Sequence, residues 1–141
     1  MKKKLYTAIG LMSGTSMDGV DLSIITSDGH DQFINILDDY YEYDYKLQNQ
    51  LINLRNIIST KKDLSINYKQ VSELERNLTI FHAETIAKTL QKYKDPIDLI
   101  GFHGQTIFHN PQEKISKQLG DGKLLSQIIK KKVVYDFRQA D

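Results

Sequence analysis

The hydrophobic period of this chain changes near residue 45 from that of strands to that of helices, which points to a mixed α/β fold. Val20, Leu22 and Ile24 alternate with Asp21 and Ser23, the period of a half-buried strand. An apolar run at residues 5–9 precedes them, and a third strand is expected from Phe33 toward Tyr43. Ser27-Asp-Gly-His30 reads as the hairpin turn between the second and third strands, with Asp28-Gly29 suited to positive φ. Beyond that point Leu47, Leu51, Leu54 and Ile58 repeat at four, three and four, which predicts an amphipathic helix over 46–58. After a polar break at 59–63, Val71, Leu74, Leu78 and Phe81 repeat at three, four and three, and the apolar face continues through Ile86 and Leu90. Asn67 with Gln70 resembles a capping box at the start of this second helix, and Lys92-Tyr-Lys-Asp-Pro96 ends it, since the residue before proline avoids helical ψ.

The remainder is shorter-grained. Residues 97–102 form an apolar, buried strand, 106–108 a further one closed by Asn110-Pro111, 122–131 a short helix and 133–137 a last strand. The order is therefore three antiparallel strands, helices, strand, helix, strand. Tyr40, Tyr41, Tyr43 and Tyr45 read as edge-strand packing rather than a stacking platform.

Composition narrows the function classes. A net charge of +1 gives no electrostatic pull toward nucleic acid or membrane, and the basic runs at 2–4 and 130–132 read as a solvated terminus and helix end. No stretch approaches the ~18 apolar residues of a membrane span. The basic start resembles a signal n-region, but the following apolar run breaks at Gly10 and Ser13, so no signal peptide is expected. The absence of cysteine excludes disulfides and thiolate chemistry and fits a reducing compartment.

Four polar clusters fall at expected strand ends: residues 13–21, His103-Gly-Gln-Thr106, Gln118-Leu-Gly-Asp121 and Asp136-Phe-Arg138. In open sheets, ligands gather beyond the carboxyl ends of the strands, so these loops are expected to converge on one crevice. The first cluster is rich in glycine and hydroxyls and suits backbone N–H contact with phosphate, but it lacks the lysine of a Walker loop. Gly14-Thr-Ser-Met17 also resembles the tetrapeptide around a subtilisin-type serine. There the serine opens a helix, whereas Ser16 lies between two strands, so a protease is rejected. His30, His82, His103 and His109 have no metal-ligand spacing.

Taken together and in order, the clusters are far more specific. Ile9-Gly-Leu-Met-Ser-Gly-Thr-Ser-Met-Asp-Gly-Val-Asp21 closely resembles the N-terminal signature of the anhydro-N-acetylmuramic acid kinases. Gly101-Phe-His-Gly-Gln-Thr106 with His109-Asn-Pro111, then Gln118-Leu-Gly-Asp121, then Val133-Val-Tyr-Asp-Phe-Arg138 with Asp141, resemble that family's next three motifs. Another sugar kinase of the superfamily is disfavoured, because the usual Asp-x-Gly-x-Thr of the first strand is replaced here by Gly-Leu-Met-Ser-Gly-Thr.

The resemblance implies a ribonuclease-H-like lobe of the actin-like ATPase/sugar kinase fold, one of two lobes flanking a cleft, with the chain as the N-terminal one. It implies conversion of 1,6-anhydro-N-acetylmuramic acid, ATP and water to N-acetylmuramic acid 6-phosphate and ADP, in cytoplasmic cell-wall recycling. By resemblance Gly14, Thr15, Ser16, Met17, Asp18, Gly19, Val20 and Asp21 form the ATP-binding segment. Asp18 or Asp21 would hold Mg²⁺ through water, with a local turn-stabilising role for Asp18 left open. Gln105, Thr106, Gln118, Asp136 and Arg138 would contact the sugar: amides, hydroxyls and carboxylates suit its hydroxyls, and an arginine suits its carboxylate or a phosphate. The family's Asp-x-Gly-Pro-Gly-Asn segment, which carries the general base, and its adenosine site are not among these 141 residues. The expected partners are thus ATP, the sugar and a second lobe, with a homodimer allowed for the complete enzyme. The chain by itself is expected to lack kinase activity. A non-catalytic nucleotide- or sugar-binding module of the same fold is the alternative.

Overall fold

A computed structural model describes residues 4–110, 112 and 115–135. The strands β1 (Tyr6–Met12), β2 (Gly19–Ser27) and β3 (Phe33–Glu42) form an antiparallel meander. The helices α1 (Tyr45–Ile57), α2 (Lys61–Ile66) and α3 (Tyr68–Lys92) follow. The chain then returns to the sheet as β4 (Leu99–Phe102), parallel to β1, so that Ile9 faces Ile100 in register. A hairpin of β5 (Gln105–Asn110) and β6 (Ile115–Leu119), the helix α4 (Gly122–Ile129) and the short β7 (Val133–Val134), parallel to β4, complete it. The main sheet has the order β3-β2-β1-β4-β7, and the β5–β6 hairpin stands outside it.

Alternation decides which face is buried. Ile9 and Leu11 of β1, Val20, Leu22 and Ile24 of β2, and Ile100 and Phe102 of β4 all turn to one side. There they meet the Leu47, Leu51, Leu54 stripe of α1 and the Val71, Leu74, Leu78, Ile86 stripe of α3 in one continuous core. Each such side chain, fully removed from water, contributes about 1.5–3 kcal/mol. The opposite face carries Gly10, Asp21 and Ser23 together with the exposed Met12 and Tyr40.

Capping explains the helix boundaries. Asp44 accepts from the Leu47 N–H and starts α1. The break expected at 59–63 is in fact a helix start: Thr60 accepts from the Asp63 N–H, and the Asp63 carboxylate accepts from the Thr60 and Ser59 N–H groups. This is a full capping box, and those bonds hold the Asp63 carboxyl below its usual range. The capping box expected at Asn67 and Gln70 does not form; the Asn67 amide donates back to the Asp63 carbonyl instead. Asn67 sits between two helices that nearly abut, so its surroundings are those of a helix end rather than a start.

Three further expectations are adjusted. The first strand extends through Met12, because Gly10 and Leu11 pair with both Ser23 and Leu22 and with β4. Gln118 and Leu119 belong to a strand, β6, that its mixed composition concealed. The four tyrosines do not act together: Tyr45 is exposed, whereas Tyr43 is 6% exposed and packs edge-on against Phe81 at 5.2 Å. The Asp28-Gly29 turn forms with Gly29 at φ 82, and Asp28 Oδ1 accepts from the His30 and Gln32 N–H groups.

Candidate functional site

The β1–β2 connection, residues 13–18, lies at the carboxyl ends of β1 and β4. Its shape is set by what happens to its carbonyls. The Met17 N–H closes a turn onto the Gly14 carbonyl at 3.2 Å, and that same carbonyl accepts from Gln105 Nε2 at 2.9 Å. Arg55 Nη1 reaches the Thr15 carbonyl at 3.3 Å, and Gln48 Nε2 the Met17 carbonyl at 3.2 Å. The Tyr43 backbone N–H holds the Asp18 carbonyl at 2.9 Å. Met17 pins the centre: its side chain is fully buried although its φ of 58 is unusual for a residue with a Cβ. That conformation costs on the order of 1–2 kcal/mol, which burying the side chain offsets.

The other side of the loop is open. Gly14, Thr15 and Ser16 are exposed, and among the described residues their backbone N–H groups and the two hydroxyls have no protein acceptor. Successive unpaired N–H groups in a turn, with the carbonyls tied back, form an anion-binding concavity. Beside it, Gly10, Met12, Ser13, Gly14, Asp21 and Ser23 line an open depression of about 290 Å³. Of the expected ATP segment, residues 14–16 are therefore presented to solvent. Met17 and Val20 are core residues, and Gly19 is a contact point: a Cβ there would lie 2.3 Å from the Tyr41 carbonyl oxygen.

The two candidate metal carboxylates differ in setting. Asp18 is exposed and its Oδ1 accepts from Gln48 Nε2 at 3.4 Å, a bond to α1 rather than to its own turn. Asp21 lines the depression together with Ser13 and Gly14. Among the described residues no group of three or more His, Cys, Asp or Glu is gathered as a metal cage.

The β4–β5 turn brings the second cluster to the loop. Gly104 makes the turn possible: its φ is 79, and a Cβ there would meet the Leu119 carbonyl oxygen at 2.2 Å. Gln105 is fully buried, its Oε1 accepting from Tyr43 Oη at 3.0 Å and its Nε2 donating to the Gly14 carbonyl. Both ends of the amide are thus hydrogen-bonded within the protein. Thr106 and Gln118 are cross-strand partners in β5–β6, with Gln118 Nε2 donating to Thr106 Oγ1 at 2.8 Å, and both are half-buried. Asp121 caps α4, and the Gly120 N–H donates to Glu75 of α3, so the end of the third cluster is structural. Asp136, Arg138 and Asp141 lie outside the described residues. His103, at the same sheet end, keeps a buried Nδ1 with no hydrogen-bond partner among the described residues.

Sequence reasoning missed Tyr43, Gln48 and Arg55. Tyr43 Oη donates to Gln105 Oε1 and lies 2.8 Å from Ser13 Oγ, whose hydroxyl donates to it, and burial pushes the Tyr43 hydroxyl up to about 12, so it stays a donor at neutral pH. The signal that points to it is position: it immediately precedes the Asp44 cap, where an apolar residue commonly folds back onto the structure. Gln48 and Arg55 flank the leucine stripe of α1, a place where polarity alone says nothing.

A five-stranded mixed sheet that opens with an antiparallel meander and carries helices on its buried face defines a ribonuclease-H-like lobe of the actin-like class. The family model for anhydro-N-acetylmuramic acid kinase matches residues 6–141. An anhydro-N-acetylmuramic acid kinase of Pelagibacter ubique is 55% identical over 139 residues, covering 99% of this chain and 37% of the relative. Namesakes of Agrobacterium fabrum and Rhodospirillum rubrum are 38% and 39% identical, over 98% and 95% of this chain and 38% and 34% of their own lengths. The chain belongs to the anhydro-N-acetylmuramic acid kinase family, and it spans little more than a third of the length of these relatives. No helix among the described residues is long and apolar enough to cross a membrane.

Proposed function

We propose that these 141 residues form the N-terminal lobe of a two-lobed cytoplasmic kinase. The complete enzyme converts 1,6-anhydro-N-acetylmuramic acid, ATP and water to N-acetylmuramic acid 6-phosphate and ADP in peptidoglycan recycling. The observation that carries the reading is the loop at 13–18, with the Gly14, Thr15, Met17 and Asp18 carbonyls tied back and the N–H groups of Gly14, Thr15 and Ser16 without an acceptor among the described residues. In this reading those N–H groups and the Thr15 and Ser16 hydroxyls grip the ATP phosphates, and they do so without reorganisation because the loop is already braced. Asp21, beside the loop, orients the water shell of Mg²⁺, which neutralises phosphate charge when bound. Thr106 and Gln118, with Asp136 and Arg138, face the sugar.

The chemistry needs more than this wall. Water attacks the anomeric carbon, the 1,6-anhydro bond breaks, and the sugar's O6 takes the γ-phosphoryl group. A base for that water and a closed, dry cleft come from the second lobe. The 141 residues alone therefore give no turnover.

The test joins this chain to the remaining part of the Pelagibacter ubique relative in place of the matching residues. Transfer of phosphate from ATP to the anhydro-sugar by the joined protein, and none by the 141 residues alone, is the expected result. A joined protein that folds and binds neither ATP nor sugar overturns the kinase reading in favour of a different ligand.

A further inference from the structure

Tyr43 holds the loop at 13–18 by both of its ends. Its backbone N–H donates to the carbonyl of Asp18, the last loop residue, and its side-chain oxygen lies 2.8 Å from the hydroxyl of Ser13, the first, which donates to it because the one Tyr43 proton goes to Gln105. The same hydroxyl faces Gln105 Oε1, and Gln105 Nε2 continues the chain to the Gly14 carbonyl. A phenylalanine would fill the same space against Phe81 equally well, so packing does not account for the hydroxyl. Both of its partners belong to the two segments that meet at the site, the ATP loop and the start of β5. We propose that Tyr43 and Gln105 are positioning residues that set the geometry of the phosphate cradle and join it to the sugar-side hairpin.

The physical argument is about which carbonyls can turn. A flexible loop can rotate the Gly14–Thr15 peptide so that an oxygen, not an N–H, points at the incoming phosphate. That exchange replaces attraction by repulsion. Gln105 donating to the Gly14 oxygen holds the oxygen inward, and Tyr43 holds Gln105 in the orientation that keeps its amide nitrogen on that side. Without Tyr43 Oη the Gln105 oxygen loses its donor, and only the Nε2 bonds to the Gly14 and Thr106 carbonyls still set which way the amide points.

This inference rests on the ATP-loop reading, and the experiment separates the two. In the joined full-length kinase, Tyr43→Phe is expected to raise the KM for ATP about tenfold, the equivalent of about 1.4 kcal/mol, while the KM for the anhydro-sugar stays within about twofold. Gln105→Glu keeps an acceptor for Tyr43 and loses the donor to Gly14, so it is expected to do the same. The Tyr43→Phe/Gln105→Glu double variant should cost little more than either alone, since both act through one bond to the loop. Thr15→Ala serves as the control for the loop itself. A raised ATP KM in Thr15→Ala with none in Tyr43→Phe overturns the positioning role and leaves the loop reading standing. No change in Thr15→Ala or in either positioning variant overturns both. If Gln105→Glu raises the sugar KM instead, the amide acts on the sugar and the proposal fails. Should Tyr43→Phe fold poorly, Ser13→Ala removes the other partner of the hydroxyl at a less buried position, and an unchanged ATP KM there counts against the proposal.

Discussion

His82 offers the most quantitative test of the packing beneath the site. It is fully buried on α3, stacked edge-on against Phe102 at 4.8 Å, directly under the end of β4. Its Nδ1 lies 2.8 Å from the Leu78 carbonyl, which therefore accepts the ring proton, and its Nε2 has no hydrogen-bond partner among the described residues. Adding a second proton would bury a charge with nothing to meet it. Burial accordingly pulls the imidazole down from 6.5 to about 4, only partly opposed by the Leu78 bond. In the unfolded chain the group titrates at its ordinary value, so between those two pH values the unfolded state binds more protons and stability falls on acidification. The loss is complete once the pH is below the folded value and amounts to about 3 kcal/mol; about 2 kcal/mol has gone by about pH 5. Asp38, Asp39 and Asp63 are lowered by the Ser23 hydroxyl, the Lys92 ammonium and the Ser59 N–H respectively, so their contributions disappear only below the ordinary carboxylate value of 3.8. Urea unfolding followed by circular dichroism, from neutral pH to about pH 5, should give a wild-type curve that drops by about 2 kcal/mol more than that of His82→Gln. Curves that run parallel within about 0.5 kcal/mol would refute the claim that His82 is neutral and unsolvated in the fold.

Two further outcomes follow from local geometry. Gly19→Ala sets a Cβ 2.3 Å from the Tyr41 carbonyl oxygen, against backbone that cannot step aside, so it should lower stability by at least about 1–3 kcal/mol in thermal melts and disturb the β2–β3 pairing just beyond the loop. Thr60→Ala removes one half of the capping box of α2 and should cost about 0.5–2 kcal/mol, with faster amide exchange confined to α2 and the start of α3.

The parts of the fold that were legible were those carried by a repeating pattern. Alternation in β2 and the leucine spacing of α1 each reported a buried face directly, because one amphipathic element has one face to hide. The parts that escaped were decided by a partner elsewhere in the chain. Asn67 and Gln70 have the composition of a helix start, but the stronger box at Thr60 and Asp63 starts the helical segment earlier. β6 carries polar residues at Ser116, Lys117 and Gln118, and only its pairing with β5 makes it a strand. For the site, the loop itself was readable because glycine, hydroxyl and aspartate are concentrated between two strands. What holds that loop was less so: Tyr43 and Arg55 lie 30 and 40 positions from Ser13 and Thr15, which they bond, and only Tyr43, just before the Asp44 cap, carries a local signal. Gln105 was named through the family resemblance, and that resemblance carried no sign that its side chain would be buried against the loop.

The central claim is that the N–H groups of Gly14, Thr15 and Ser16 are a preformed phosphate cradle. Titrating the ¹⁵N-labelled chain with Mg·ATP and following its amide resonances tests it most directly. Saturable downfield movement of the Gly14, Thr15 and Ser16 amides is predicted, with Met17, whose N–H is already given to the Gly14 carbonyl, moving least in the loop. Binding that shifts other amides and leaves those three in place would contradict it.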